Sequence, residues 1–302
     1  MPQTLHILNG MSSLTIFNKS GIEGEAIAWN EILCEGPSLP EISSPEQEVL
    51  RKTYTEDQFS GHDYDEIVWG IWDFLAGENH FDEIVCWYEY DLFCQINFMA
   101  MIHWLAKNRP GDKISIICSG VNVSGKLKGL GEYVPEDYPK FYQGRQLLTS
   151  SQKEQASAIW RIYCSGAHDQ LLSFSRAADL PYLAEAIEAH LRRFPWTTDH
   201  LNEHQRQILS WIRDGTMSDR QLVGKCLRNN GFYGFGDLQC FNMINALTPC
   251  IDWKNGQLTP YGNSLMEGGG DIDQLPASTY GGTSSNQFRY DPIKKQLITW
   301  PQ

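Results

Sequence analysis

Two carboxylates one residue apart, Glu89 and Asp91, close the apolar run Ile84-Val85-Cys86-Trp87. They stand directly before Leu92, Phe93, Ile96, Met99, Ile102 and Leu105, which repeat at helical spacing. Acids placed where a strand runs into a helix can exchange protons with a ligand or hold a divalent metal, and the helix start offers free N–H groups and a partial positive charge. Gln95 follows one turn later. Comparable polar residues punctuate three other apolar runs: His6, Asn9 and Gly10 around the end of Leu5–Leu8, Asn30, Glu31 and Glu35 after Glu25–Trp29, and Ser119, with Glu132 beyond it, after Ile114–Cys118.

These runs alternate with segments of helical character starting near Ser12, Pro45, Tyr64 and Asp91. Strands alternating with helices predict a parallel sheet wound by right-handed crossovers, whose strand ends meet along one ligand-binding edge. The expectation is a three-layer, Rossmann-like or flavodoxin-like α/β domain over residues 1–138. Glu31, Glu35, Glu89 and Asp91 would be its catalytic acids or metal ligands. His6, Asn9, Gly10, Asn30, Gln95, Ser119 and Glu132 would be its ligand contacts. Four converging carboxylates repel one another unless something positive is bound or some are protonated. Each residue alone also has a plainer role: Asn9 and Ser119 as turn formers, His6 as a hydrogen-bonded core residue, Gln95 as a helix-end donor, Asp91 as an N-cap.

Residues 139–198 read as a helical linker, with apolar stripes at Ala156, Ile159, Trp160 and Tyr163 and at Leu183, Ala186, Ile187 and Leu191. Residues 199–302 suggest a winged-helix-like domain. Asn202 and Gln205 form a capping box, Ser218 and Asp237 start two further helices, and Asn255-Gly256 marks a type I′ hairpin. The Gly- and Ser-rich stretch 268–287 reads as a surface excursion, and Phe288–Trp300 as a last hairpin. Between 200 and 270 six Lys or Arg face six acids, and the helix from Asp237 has no cation. Phosphate neutralisation supplies most nucleic-acid affinity, so this balance argues against nucleic acid and favours a protein partner or internal packing.

The formal charge of −13 over 302 residues argues the same way for nucleic acid and for an anionic membrane surface. Eight cysteines without a C-x-x-C pair fit reduced, buried thiols. The N-terminus lacks a basic segment, and the most apolar helix is interrupted by Gln95, Asn97, His103 and Lys107, so the expectation is a cytoplasmic protein with no membrane span. Gly120–Leu127 nearly matches a phosphate-binding loop but ends in Leu127, which has no hydroxyl for magnesium, and so reads as a glycine-rich loop. His200 and His204 have metal spacing, yet a cap at Asn202 puts His200 outside the helix.

Four segments together, His6–Gly10, Trp29–Pro37, Trp87–Gln95 and Gly129–Glu132, resemble the bacterial family called domain of unknown function 1835 (DUF1835). Leu201–Leu209 and the helices around it resemble that family's C-terminal companion, domain of unknown function 3658 (DUF3658). The resemblance implies no established activity, and it departs at Met11, where the family commonly has Asp. The functional expectation is a small polar ligand, a nucleotide or phosphorylated metabolite, bound or hydrolysed at the acid-rich edge, with a divalent metal as an open option. The alternative is a non-enzymatic regulator that senses a ligand there and contacts a partner through its C-terminal domain. In the plainest alternative the acids only cap helices and form turns.

Overall fold

The computed structural model describes residues 3–59, 64–77, 80–121, 124–215, 217–269 and 274–301. The chain runs β1 (Thr4–Leu8), α1 (Met11–Phe17), β2 (Glu25–Ala28), β3 (Gly36–Pro37), α2 (Pro45–Gln58), a π-helical turn at Asp65–Trp69, α3 (Gly70–Ala76), β4 (Glu83–Glu89), α4 (Leu92–Asn108) and β5 (Ile114–Ser119). Strand order is β2-β1-β4-β5, all parallel, so Leu8, Trp87 and Ile117 lie level and their chains turn at one edge. A fifth strand, reached through α5 (Tyr138–Gln143), is β6 (Gln146–Leu147), which runs antiparallel and makes the sheet mixed. Alternation along β4 divides the strand between two cores. Val85 and Trp87 meet Phe17, Leu130 and Tyr138 on one face, and Ile84, Cys86 and Tyr88 meet α4 on the other.

α4 is buried on all sides, because α6 (Ser150–Ser165) and α8 (Leu183–Leu191) cover the face turned away from the sheet. Residues 139–198, expected as a linker, thus add a helical layer to the main core. α7 (His168–Ala177) is clasped to α8 by a buried pair, His190 Nε2 lying 3.0 Å from His168 Nδ1.

α9 (Glu203–Asp214), α10 (Asp219–Arg228) and α11 (Asp237–Asn245) gather a separate core that includes Ile208, Leu209, Leu222 and Ile244. Capping boxes open α9 at Asn202 and α10 at Ser218. β7 (Ile251–Asp252) and β8 (Gln257–Leu258) form the expected hairpin, and α12 (Pro260–Met266) follows it. The turn is not type I′, however. Four residues connect the strands, both Asn255 N and Gly256 N donate to Asp252 O, and only Gly256 has positive φ, at 63°. The extra length lets a right-handed turn close with a single left-handed glycine.

The stretch 268–287 is a surface excursion only in part, most of its described residues being exposed while Leu275, Tyr280, Gly281, Thr283 and Ser285 are buried; residues 270–273 lie outside the described residues. β9 (Thr279–Gly281) pairs in parallel with β3 and antiparallel with β10 (Thr283–Ser284), burying Tyr280. Glycine permits this: a Cβ on Gly282 would stand 2.0 Å from Cys164 O at the end of α6. β11 (Phe288–Asp291) and β12 (Gln296–Thr299) then close the chain as an antiparallel hairpin. Among the described residues no helix is long and apolar enough to cross a membrane.

Candidate functional site

The edge at which β1 and β4 end brings Asn9 against Glu89. Asn9 Nδ2 donates to Glu89 Oε1 at 2.7 Å and reaches Cys94 Sγ at 3.3 Å, while its own Oδ1 accepts from Ser13 Oγ at 2.6 Å, which fixes the amide's orientation. The backbone N–H of Leu130 also donates to Glu89 Oε1, at 2.8 Å. Gly129 lies so close that a Cβ there would stand 2.4 Å from Glu89 Oε2. Asp91 is the N-cap of α4, accepting from Cys94 N at 2.9 Å, and is buried. Its roof comes from far along the chain. Gly234, at φ 70°, passes so near that a Cβ would stand 2.3 Å from the Asp91 carboxyl carbon.

Burial first, and then the charge of Asp91, push the Glu89 carboxyl up to about 7, against the pull of its two donors. Burial likewise pushes Asp91 up to about 6, against its bond from Cys94 N. Both carboxyls are thus displaced toward neutrality, Glu89 the further of the two. One donor atom each from Glu89, Asp91 and Cys94 lie within 4.8 Å of one another, an arrangement that could hold a metal ion. Burial raises the Cys94 thiol well above its ordinary range, so metal binding here would have to displace its proton.

The other two acids of the expected cluster are neutralised separately. Glu31 Oε1 pairs with Arg51 Nη2 at 2.8 Å, both residues being almost fully buried, and Arg51 also donates to the backbone oxygens of Ile32, Glu35 and Pro37. Glu35 Oε1 lies 3.6 Å from Arg193 Nη2 and accepts from Gln239 Nε2 at 3.1 Å. Among the described residues, neither acid joins the group in which donor atoms of Glu89, Asp91 and Cys94 lie within 4.8 Å of one another. Arg51 lies with Gln47 and Thr55 on the buried face of α2, a polar stripe that no apolar periodicity marks in the sequence. Arg193, Gly234 and Gln239 lie too far along the sequence for any local pattern to place them here.

His6 is not at the edge. It sits in mid-strand on the face of Phe17, Trp87 and Tyr142, where Trp87 Nε1 donates to His6 Nδ1 at 3.1 Å, so that Nε2 carries the hydrogen and donates to Glu23 O at 3.2 Å. Burial lowers its pKa to about 4 and keeps it neutral. Gly10 precedes α1, and a Cβ on it would touch Asn30 Oδ1 at 3.4 Å. Gln95 Nε2 donates to Glu89 O at 2.8 Å, and Ser119 lies level with Glu89 across β4 and β5. The Gln95 Oε1 and Ser119 Oγ atoms are buried without hydrogen-bond partners. Glu132 is exposed and accepts from Gly129 N, capping the turn that aims the Leu130 N–H.

The start of α4 is not an anion site. Leu92 N donates to Phe232 O, Phe93 N to Tyr233 O and Cys94 N to the Asp91 side chain, so the three N–H groups of the first turn are taken before Gln95 N makes the first intrahelical bond, to the Asp91 carbonyl. The near-match to a phosphate-binding loop folds back on itself, with Val121 bridged to Leu127 and Lys128 N donating to Gly120 O; Asn122 and Val123 lie outside the described residues. Beyond Gly234 a cavity of about 310 Å³ opens between this edge and the C-terminal helices, lined among others by Asn30, Glu31, Thr55, Phe93 and Gln239.

No family model and no curated protein matches the chain. Among solved structures, the DNA-binding, cleavage and re-ligation domain of topoisomerase II from Plasmodium falciparum aligns with 81% of this chain at 12% identity and a TM-score of 0.45. The chain spans 42% of that protein's length, and a likeness of this size carries no argument about function.

Proposed function

We propose that the chain binds a small polar ligand at the edge where β1, β2 and β4 end, with the Glu89–Asp91 pair exchanging a proton beside it. The observation that carries this is the enclosure of two carboxyls, Asp91 buried and Glu89 partly so, by neutral hydrogen-bonding groups. Asn9, the Leu130 N–H and the backbones of Gly129 and Gly234 surround them, and among the described residues no cation is hydrogen-bonded to either. Acids that serve only architecture are paired, as Glu31 is with Arg51; leaving two adjacent ones unpaired costs stability, a pattern typical of working sites. The consumed N–H groups of α4 turn the ligand away from a phosphate at this helix. A divalent metal on Glu89, Asp91 and Cys94 belongs to the same proposal.

The four segments that resemble DUF1835 support the reading as a unit. Asn9, Glu89 and the Gly129-Leu130 turn meet at the acid pair, while Asn30 and Glu31 line the adjoining cavity. We extend the proposal to membership of that family, to a doubly wound α/β layer around β4 and to a winged-helix-like arrangement of α9 to β8.

A second reading, ligand sensing without chemistry, draws on the roof. Residues 232–239 bind the start of α4, line the cavity and continue into α11, so an occupant would press on the C-terminal helices. α11 itself packs inward, with Gln239 on Glu35 and Asn242 Nδ2 on Gln58 O, which fits a packing role better than nucleic-acid recognition.

A thermal-shift screen of amines, sugars, nucleotides and phosphorylated metabolites, with and without magnesium, zinc or manganese, tests both readings. A ligand at 100 times its dissociation constant stabilises by about 2.7 kcal/mol. The expected result is a hit whose shift is lost in Glu89→Gln and Asp91→Asn. A hit indifferent to both substitutions would contradict the assignment to this edge.

A further inference from the structure

The cavity beyond Gly234 has a chemistry that the acid pair does not by itself imply. At about 310 Å³ it lies at the small end of ligand cavities. Its ionisable lining, among the described residues, includes the carboxylates of Glu31 and Asp237 but no Lys, Arg or His. Aromatic rings of Phe59, Tyr64 and Phe93 form much of the rest.

Two buried oxygens of the lining residues, Glu31 Oε2 and Thr55 Oγ1, have no hydrogen-bond partner. Arg51 occupies the other oxygen of Glu31, and the Tyr64 phenol beside it, held protonated by burial and by the charge and hydrogen bonding of Glu31, fills only part of the remaining acceptor capacity. Unmet acceptors together with π-faces suit a donor that is itself positive: an ammonium group satisfies carboxylate and hydroxyl oxygens, and its charge is attracted to ring faces. An anion would meet two carboxylates, although the first turn of α11, Gly236–Gln239, lines the same wall.

We infer that this cavity takes a small organic cation, an ammonium group on a compact apolar body. The inference rests on the ligand-site reading above and narrows it to one charge class. The cation would sit across Gly234 from Asp91, where a carboxyl pair able to take up or release a proton is the natural neighbour for an amine exchanging between charged and neutral forms.

The test compares three probes of one shape on the full chain: benzylammonium, benzyl alcohol and benzoate, at pH 7.5 and fixed ionic strength, by calorimetry and thermal shift. Benzylammonium is expected to bind saturably, the alcohol more weakly and benzoate not at all. Asp237 is exposed, so Asp237→Asn should fold normally and weaken benzylammonium binding about 3-fold, within the range of a solvent-facing ion pair. Phe93→Leu should weaken it by a similar factor through the lost ring face. Glu31→Gln should weaken it more, and if that variant unfolds because of its tie to Arg51, the other two carry the test.

Alcohol or benzoate binding as tightly as the ammonium would overturn the charge class while leaving a ligand site in place. Benzylammonium binding untouched by Asp237→Asn and Phe93→Leu, or no binding by any probe, would overturn the inference. In neither case does the result bear on whether Glu89 and Asp91 hold a proton, which is measured independently.

Discussion

Glu89 and Asp91 bind their protons more tightly in the folded chain than in the unfolded one, since their carboxyls rise to about 7 and about 6. Such groups contribute stability that is fully present below about pH 4 and is lost as the pH rises through the folded values. Buried imidazoles work in the opposite direction. His6 and His168 are lowered to about 4 and His204 to about 3, so their contribution is present above about pH 6.5 and lost as the pH falls. The two trends oppose each other between about pH 4 and 7, and they mask each other in the wild type. Glu89→Gln isolates the first. Its amide oxygen can still accept from Asn9 and Leu130, so chemical denaturation should show the variant level with wild type at pH 5 and more stable at pH 8 by on the order of 2 kcal/mol. Equal stability at both pH values would mean that Glu89 is an ordinary ionised carboxylate. Asp91→Ala should instead lose the N-cap and cost about 0.5–2 kcal/mol at pH 5, where Asp91→Asn, which keeps an accepting oxygen, should not.

The strand-to-helix junction β4–α4 was legible because two short-range signals coincide there: an apolar run of strand length, and an acid in N-cap position before a helical stripe. Parallel pairing of β1, β2, β4 and β5 was legible from their alternation with helices, and it brings Asn9 to Glu89 as the strand ends imply. The division of the acids was not legible. Glu31 is neutralised from 20 residues away and Glu35 by Arg193, just beyond the end of α8, and a pairing at such range depends on how helices dock rather than on any local pattern. The placement of His6 failed for a simpler reason: β1 extends through Leu8, so His6 belongs to the sheet's face and not to its end. The α2 contact carries its own test. Arg51→Met leaves Glu31 buried without a counter-ion and should cost about 3–5 kcal/mol, while adding Glu31→Gln should recover a large part of it. A mild Arg51→Met, measured by thermal unfolding, would show that Glu31 is not held charged.

Across the whole molecule the site is built from both ends of the chain. Tyr233, Phe235, Tyr280 and Phe288 join the core beneath α4, and β9 pairs with β3 between the sheet and α6. Gly282→Ala would drive a methyl into Cys164 O, so it should destabilise the chain by more than about 1 kcal/mol and loosen the C-terminal segment, read as faster exchange of the Ser38 amide, which donates to Gly281 O, and of the amide at position 282, which donates to Tyr163 O. Exchange left unchanged would mean that the segment docks independently of this contact. Because Gly234 supplies the roof over Asp91, the elevated carboxyl values belong to the intact chain, and they are open to direct observation. The decisive measurement is a ¹³C carboxyl titration of the full-length protein, with Glu89 and Asp91 assigned by the loss of their signals in Glu89→Gln and Asp91→Asn. Two coupled transitions between about pH 6 and 7 are the predicted result; both carboxyls titrating in the ordinary range near pH 4 would contradict the account.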